Sequence, residues 1–405
     1  MRRSLPLRCT SFRIVLFIQV GFLLLGQASG ATRSVGPGKT YATPSLAAAA
    51  AQNGDTIEID AGTYTDNSAT WSASNLTIRG VGGMAHLRWV TGQISNGKGI
   101  WVISGANTTV ENIEFSGAKV ADANGAGIRQ EGAGLTLRSC YFHDNENGIL
   151  TTAGDWDILI EYSEFAHNGY GDGDGYTHNL YIGNIRKFTF QHNYSHHARV
   201  GHNVKSRAKE NHLLYNRIMD EATGNSSYAI DLPNGGTTYV IGNLIQQGPF
   251  TDNSGILSYA AEGGTNPDQH LYVTSNTFVN DYDRGTHIYV GGTTPIFARN
   301  NLFIGPGTIY SGPGSVNLTA DNLATTTGLV DRANYDYHLV ATSTAINRGT
   351  DPGIINGVNL RPVYQYVHPK NREARPTNGA LDFGAYEYVP AIVAPSAAII
   401  SITVE

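Results

Sequence analysis

A single-stranded, right-handed parallel β-helix, an all-β solenoid with one short N-terminal helix, is the fold this sequence predicts. Three observations lead there. Two short phrases recur in fixed order along most of the chain. The 48 glycines and a charged fraction of only 15% describe a turn-rich chain with few helix-compatible stretches. Each phrase is also too short to bury a face unless it stacks on copies of itself.

The first phrase ends in an aromatic or aliphatic residue and usually begins with Asn or Ser. It begins at Ile113, Cys140, Ser163, Asn193, Asn216, Asn243, Asn276 and Asn301, at spacings of 27, 23, 30, 23, 27, 33 and 25 residues. Between its copies lies an aliphatic residue with its flanks: Gly127-Ile128-Arg129, Gly148-Ile149-Leu150, Asn179-Leu180-Tyr181, Asn203-Val204-Lys205, Ala229-Ile230-Asp231, Gly255-Ile256-Leu257 and His287-Ile288-Tyr289. Fixed order at variable spacing means stacked coils with loops of differing length. The recurrent Asn residues suit left-handed corners and side-chain ladders.

The N-terminus carries Arg2, Arg3, Arg8 and Arg13, an apolar run from Ile14 to Leu25, and then Ala28, Ser29 and Gly30. This pattern predicts a signal peptide cut after Gly30 and a secreted or periplasmic protein, the apolar run being short for a membrane anchor. Removing it leaves 23 basic against 33 acidic residues, a formal charge of −10, and Cys140 as the only cysteine. No internal disulfide can form, so burial and backbone pairing must hold the fold. Such an acidic surface excludes nucleic acid and anionic membranes as partners. An anionic polysaccharide would need a local basic patch, and a monomer is expected.

Thr43-Pro44-Ser45, then Leu46 and the alanines to Ala51, stopped by Asn53-Gly54, predict a capped helix over the solenoid mouth. The alternating segment Gly54 to Tyr64 follows as the first coil. This helix-to-strand phrase resembles the opening of pectate-lyase-like β-helix proteins. Asp336-Tyr337-His338-Leu339, Ser343 to Gly349 and Leu381 to Glu387 resemble the closing segment of such secreted proteins. The resemblance spans roughly Ser34 to Tyr388 by the repeat; it implies the fold, while the architecture hosts many reactions. The expected organisation is signal peptide 1–30, N-terminal cap 31–54, coils 55–330, closing segment 331–389 and an unassigned tail 390–405.

Seven of the 23 remaining Lys and Arg residues lie between Arg186 and Arg217, with five histidines and one acid, Glu210. If Leu180 and Val204 point inward, alternation turns Asn179, Tyr181, Asn203, Lys205 and Arg207 outward. Neighbouring coils then place Tyr181, Lys205 and Asp231 in one vertical row, with Tyr259 on a later coil and His178 and His202 just before their strands. The expected catalytic set is Lys205, Arg207, Tyr181, His178 and His202. Arg129, Asn179, Asn203, Asp231, Tyr259 and Arg199 are the expected substrate contacts. Blander readings stand beside these: Tyr181 as an exposed wall aromatic, the histidines as hydrogen-bonded turn residues, Lys205 and Arg207 as a solvated pair. Two stacked imidazoles alone fall short of a closed metal site, so no metal ligands are assigned.

The glycine-rich stretch Gly169 to His178 fits the wall of a carbohydrate groove. It loosely resembles the Tyr-Gly-x-Asp-Pro-His phrase of alginate epimerases, with the Pro absent and Asp174 and His178 out of register. Asp172 and Asp174 offer oxygen ligands of the kind Ca2+ takes, yet two are too few for a site. No other cofactor is called for.

A uronic acid can be deprotonated beside its carboxylate only once that carboxylate is neutralised. Arg or Lys can neutralise it, Lys, His or Tyr can act as base, and Tyr or His can protonate the leaving oxygen. The row contains each type. Glycoside hydrolysis needs two flanking carboxyl groups, and Asp231 is the only clear outward one. The sequence therefore points to a polysaccharide lyase acting by β-elimination, with Lys205 as base, Arg207 as neutraliser and Tyr181 as acid. A uronate epimerase and a non-catalytic glycan-binding adhesin are the alternatives.

Overall fold

The computed structural model describes Met1 and residues 30–170, 177–292, 296–313, 318 and 321–390. The expected signal peptide, most of the glycine-rich loop with Asp172 and Asp174, and residues 391–405 of the tail lie outside them. Among the described residues, no helix is long and apolar enough to cross a membrane.

The strands stack in parallel into three walls. Among the described residues the front wall holds ten strands in chain order, from Ala69–Trp71 to Thr308–Ser311, and includes Ala126–Gln130, Asn147–Thr151, Leu180–Ile182, Val204–Ser206 and Ile230–Leu232. A back wall includes Leu135–Arg138, Asp157–Glu161 and Lys187–Gln191. A flank wall includes Ile113–Ser116, Tyr141–His143, Glu164–Ala166, Tyr194–His196 and Arg217–Met219. Ile128, Ile149, Leu180, Val204, Ile230, Leu257 and Ile288 are all fully buried behind the front wall. Phe115, Phe142 and Phe165 stack within the core at 5.0 and 4.9 Å. A buried side chain of this size contributes roughly 1.5–3 kcal/mol, and each coil adds several.

The corner between back and flank walls explains the recurrent Asn. A residue with left-handed backbone, such as His192 at φ 58° or Tyr215 at φ 55°, makes the bend, and the following Asn turns inward. Asn193 donates from its backbone N and from Nδ2 to Asn216 Oδ1, and the same pattern runs on through Asn243, Asn276, Asn301 and Asn322. This ladder answers buried polar groups that would otherwise be costly. Cys140 occupies an earlier rung, fully buried, its thiol pushed up to about 12 by burial and therefore inert.

A second ladder lines the corner before the front wall, through Asn145, Asn168, Asn179 and Asn203. It ends on Asp220, which accepts from Asn203 Nδ2 at 3.1 Å. Burial raises the Asp220 pKa above the ordinary carboxylate range. A raised folded value means its contribution is complete below the unfolded value, about 3.9, and is lost as pH rises through the folded value. The stability of Asp220→Asn relative to the natural protein is therefore expected to climb with pH, whatever the fixed offset. Denaturant unfolding of both proteins across an acid-to-neutral series checks this; a constant difference would contradict it.

The cap helix spans Pro44–Ala50 with Pro in its first turn, and buries Ala47 and Ala48 on the core. It follows a strand, Thr32–Val35, that pairs with Thr56–Thr65. The described part of the C-terminal segment makes three antiparallel hairpins and runs back along the flank. Tyr337, Leu339, Tyr366, Phe383 and Tyr386 cover Tyr194, Met219, Leu244, Val279 and Leu302 there. Lys370 reaches Glu164, 206 residues earlier, at 3.4 Å.

Candidate functional site

The front wall carries one outward row in which Arg129, Leu150, Tyr181, Lys205, Asp231, Ser258 and Tyr289 are successive register partners. Lys205 Nζ lies 3.2 Å from Asp231 Oδ2, with side chains only 12% and 6% exposed. Lys205 Nζ and Arg207 Cζ each stand 5.7 Å from the Tyr181 ring centre, so two cations lie against the ring. Arg207 Nε donates to Tyr181 Oη at 2.7 Å, and its other nitrogens grip Glu262 at 2.8 and 3.1 Å and reach Asn234.

His178 and His202 stack at 4.7 Å, and Tyr228 continues the column at 5.3 Å. The His202 backbone N donates to His178 Nδ1 at 3.1 Å. Burial first, then nearby Lys205 and Arg207, hold both imidazoles well below the usual histidine range, so both are neutral at pH 7. His202 Nε2 lies 3.8 Å from Asp231 Oδ2. Burial also raises the Asp231 pKa, against the pull of Lys205.

Four expected substrate contacts stand elsewhere. Asn179 and Asn203 are not outward but fully buried ladder rungs. Strict alternation fails because the front strands begin only at Leu180 and Val204, and the residue before each still belongs to the corner, where the side chain turns in. Gly127 and Gly148 share that corner row; a Cβ on Gly127 would meet Phe142 at 2.9 Å. The same corner displaces Tyr259: Ile256 fills the inward corner place, Leu257 opposes Ile230, and Tyr259 falls on an inward position, donating to Gly236 O at 2.7 Å. Arg199 lies on a flank-side corner, paired with Asp144 at 2.7 Å.

Arg129 does share the row, two strands from Tyr181 across the apolar Leu150, a step of about 9.6 Å. Among the described residues its Nε is buried without a hydrogen-bond partner, and burial lowers its pKa. The basic stretch from Arg186 to Arg217 does not form one patch. A coil wraps all three walls within that length, and Arg186, Lys187 and Arg217 pair with Asp157, Glu210 and Glu221 on other faces.

Glu262, Asn234 and Tyr228 are members of the site that the strand phase did not bring forward. Tyr228 was readable, since it precedes Ile230 by two residues as His202 precedes Val204. Glu262 and Asn234 come from loops whose reach no strand spacing encodes.

Comparison with known proteins agrees with this architecture. Residues 61–245 match the family described as Right handed beta helix region. The solved structure of pectate lyase Pel9A superposes with a TM-score of 0.65 at 15% identity, covering 89% of this chain and 97% of that one. A structure of Geobacillus virus E2 ORF18 aligns at a TM-score of 0.37 and 16% identity, over 64% of this chain and 50% of that one. No curated protein matches. By its stacked parallel strands and these matches, the chain is a right-handed parallel β-helix protein with the pectate-lyase-like fold.

Proposed function

We propose that the protein is a secreted polysaccharide lyase that cleaves an anionic, uronic-acid-containing polymer by β-elimination on the front wall. The carrying observation is the convergence of Lys205, Asp231, Arg207 and Tyr181 on one outward row. Arg207 neutralises the substrate carboxylate, sharing its guanidinium with Glu262 or exchanging that partner for the sugar. Asp231, 3.2 Å from Nζ, holds the Lys205 amine in the row, where it serves as the base.

Lys205 then takes the proton from the carbon beside the uronate carboxylate. The released electron pair forms the carbon–carbon double bond as the glycosidic carbon–oxygen bond breaks. Tyr181 gives its proton to the departing oxygen; because Arg207 donates to Oη, the hydroxyl hydrogen is free to point at the sugar. Solvent returns a proton from Lys205 to Tyr181. The neutral His178 and His202 position Asp231 without adding charge, and Arg129 serves a second carboxylate along the groove.

The test is to incubate purified protein with a panel of uronate polymers and follow ultraviolet absorbance of the unsaturated product. Absorbance that grows with time on at least one polymer is expected. Tyr181→Phe should bind that polymer normally yet turn it over about 100-fold or more slowly, because only the acidic hydroxyl is lost. Altered uronate stereochemistry without new absorbance would identify an epimerase instead, and retention on a polymer column without either change a binding protein.

A further inference from the structure

We propose that the flank wall holds a divalent first-row transition-metal site formed by His86, Glu114 and His143, on a different face from the row of Lys205. The three residues come from successive coils: His86 is the register partner of Glu114, and Tyr141, two residues before His143, is the next. Glu114 Oε1 lies 3.0 Å from His143 Nε2 and 3.5 Å from His86 Nε2. The ligand atoms of all three residues fall within 4.8 Å of one another. Ligands about 2.0–2.2 Å from a tetrahedral Zn2+ stand roughly 3.2–3.5 Å apart, so small side-chain shifts close the site. Each side chain is about one fifth exposed (20%, 23% and 19%), which leaves the solvent side open for water or a substrate oxygen.

The surroundings fit ligation better than a plain polar cluster. His143 Nδ1 faces Asp144 Oδ2 at 2.8 Å, and Arg199 fixes Asp144 at 2.7 Å. This is the carboxylate–histidine arrangement that orients metal-bound imidazoles. With Nδ1 turned to Asp144, His143 presents Nε2 to Glu114 Oε1, 3.0 Å away. Ser116 Oγ lies 2.7 Å from His86 Nε2. Lys370 of the C-terminal hairpins reaches Glu164 and stands 5.6 Å from the Tyr141 ring. Imidazole with carboxylate suits Zn2+, Fe2+ or Ni2+ better than the oxygen-preferring Ca2+.

The experiment titrates tag-free, chelator-stripped mature protein with Zn2+ against a chromogenic competitor near neutral pH. One Zn2+ bound at this site with micromolar or better affinity is expected. His86→Ala, His143→Ala and Glu114→Gln should each weaken it at least tenfold, and Asp144→Asn about 10-fold to 100-fold through the orienting contact. A second histidine group, His167, His196 and His197, lies within the same mutual reach on a neighbouring corner, so His197→Ala is the control and should leave this affinity unchanged. Circular dichroism confirms folding; if an alanine variant fails to fold, the near-isosteric Glu114→Gln and His143→Gln carry the test. Absence of micromolar Zn2+ binding, or binding that survives Glu114→Gln and falls in His197→Ala, overturns the proposal.

Discussion

Lys205→Ala is expected to lower turnover of a uronate polymer by about 100-fold to 10,000-fold, the usual effect of losing a positioned base. The sequence alone would make this a harmless surface change. The structure adds a stability cost of about 1–3 kcal/mol, because the nearly buried Asp231 loses its partner at 3.2 Å. Asp231 already has a raised pKa, so it escapes the cost by taking a proton, and the penalty should shrink as pH falls toward the unfolded carboxylate value near 3.9. The double variant Lys205→Ala/Asp231→Asn should recover most of the stability and none of the activity. Initial rates and denaturant unfolding on the two singles and the double separate these effects. Near-normal rates in Lys205→Ala would place the chemistry elsewhere.

Arg375→Ala is expected to be the most destabilising single substitution in the C-terminal segment, at about 3–5 kcal/mol. Arg375 and Glu387 are each only 2% exposed and meet at 3.0 Å. The guanidinium also donates to the carbonyls of Asp382, Gly384, Ala385 and Tyr386, tying the chain end into one knot. Its loss strands a buried carboxylate and four carbonyls together. The double variant Arg375→Met/Glu387→Leu should cost less, since no charge is then left unpaired. Chemical denaturation measures the difference, and limited proteolysis should cut first within 331–389 of Arg375→Ala. An unfolding midpoint that does not move would show that the hairpins contribute nothing to global stability.

The solenoid, its cap helix and the Asn ladders were legible because each follows from a rule that repeats: burial period, corner conformation, Pro at a helix start. The row of Tyr181, Lys205 and Asp231 was legible for the same reason, since strand phase fixes which residues share a vertical line. Errors gathered where the period breaks. Asn179, Asn203 and Tyr259 were assigned outward because alternation was extended through a corner that turns two consecutive residues inward. The apparent basic patch failed because closeness along the chain is not closeness in space when one coil circles the whole cross-section. Glu262, Asn234 and the trio His86, Glu114 and His143 depend on loop reach and on contacts between coils 23 to 33 residues apart, which single phrases do not display.

The hairpins that run back along the flank change how such a stack can come apart. Coils that touch only their neighbours can fray one at a time from an open end. Here Leu302, Val279, Leu244, Met219 and Tyr194, on five successive coils, share one covering layer, and Lys370 ties that layer to Glu164 one coil further. The last coil cannot leave without lifting a strap fastened to the middle of the molecule. Opening from the C-terminal end therefore has to begin by peeling the strap, which is expected to turn a graded unzipping from that end into one slow step.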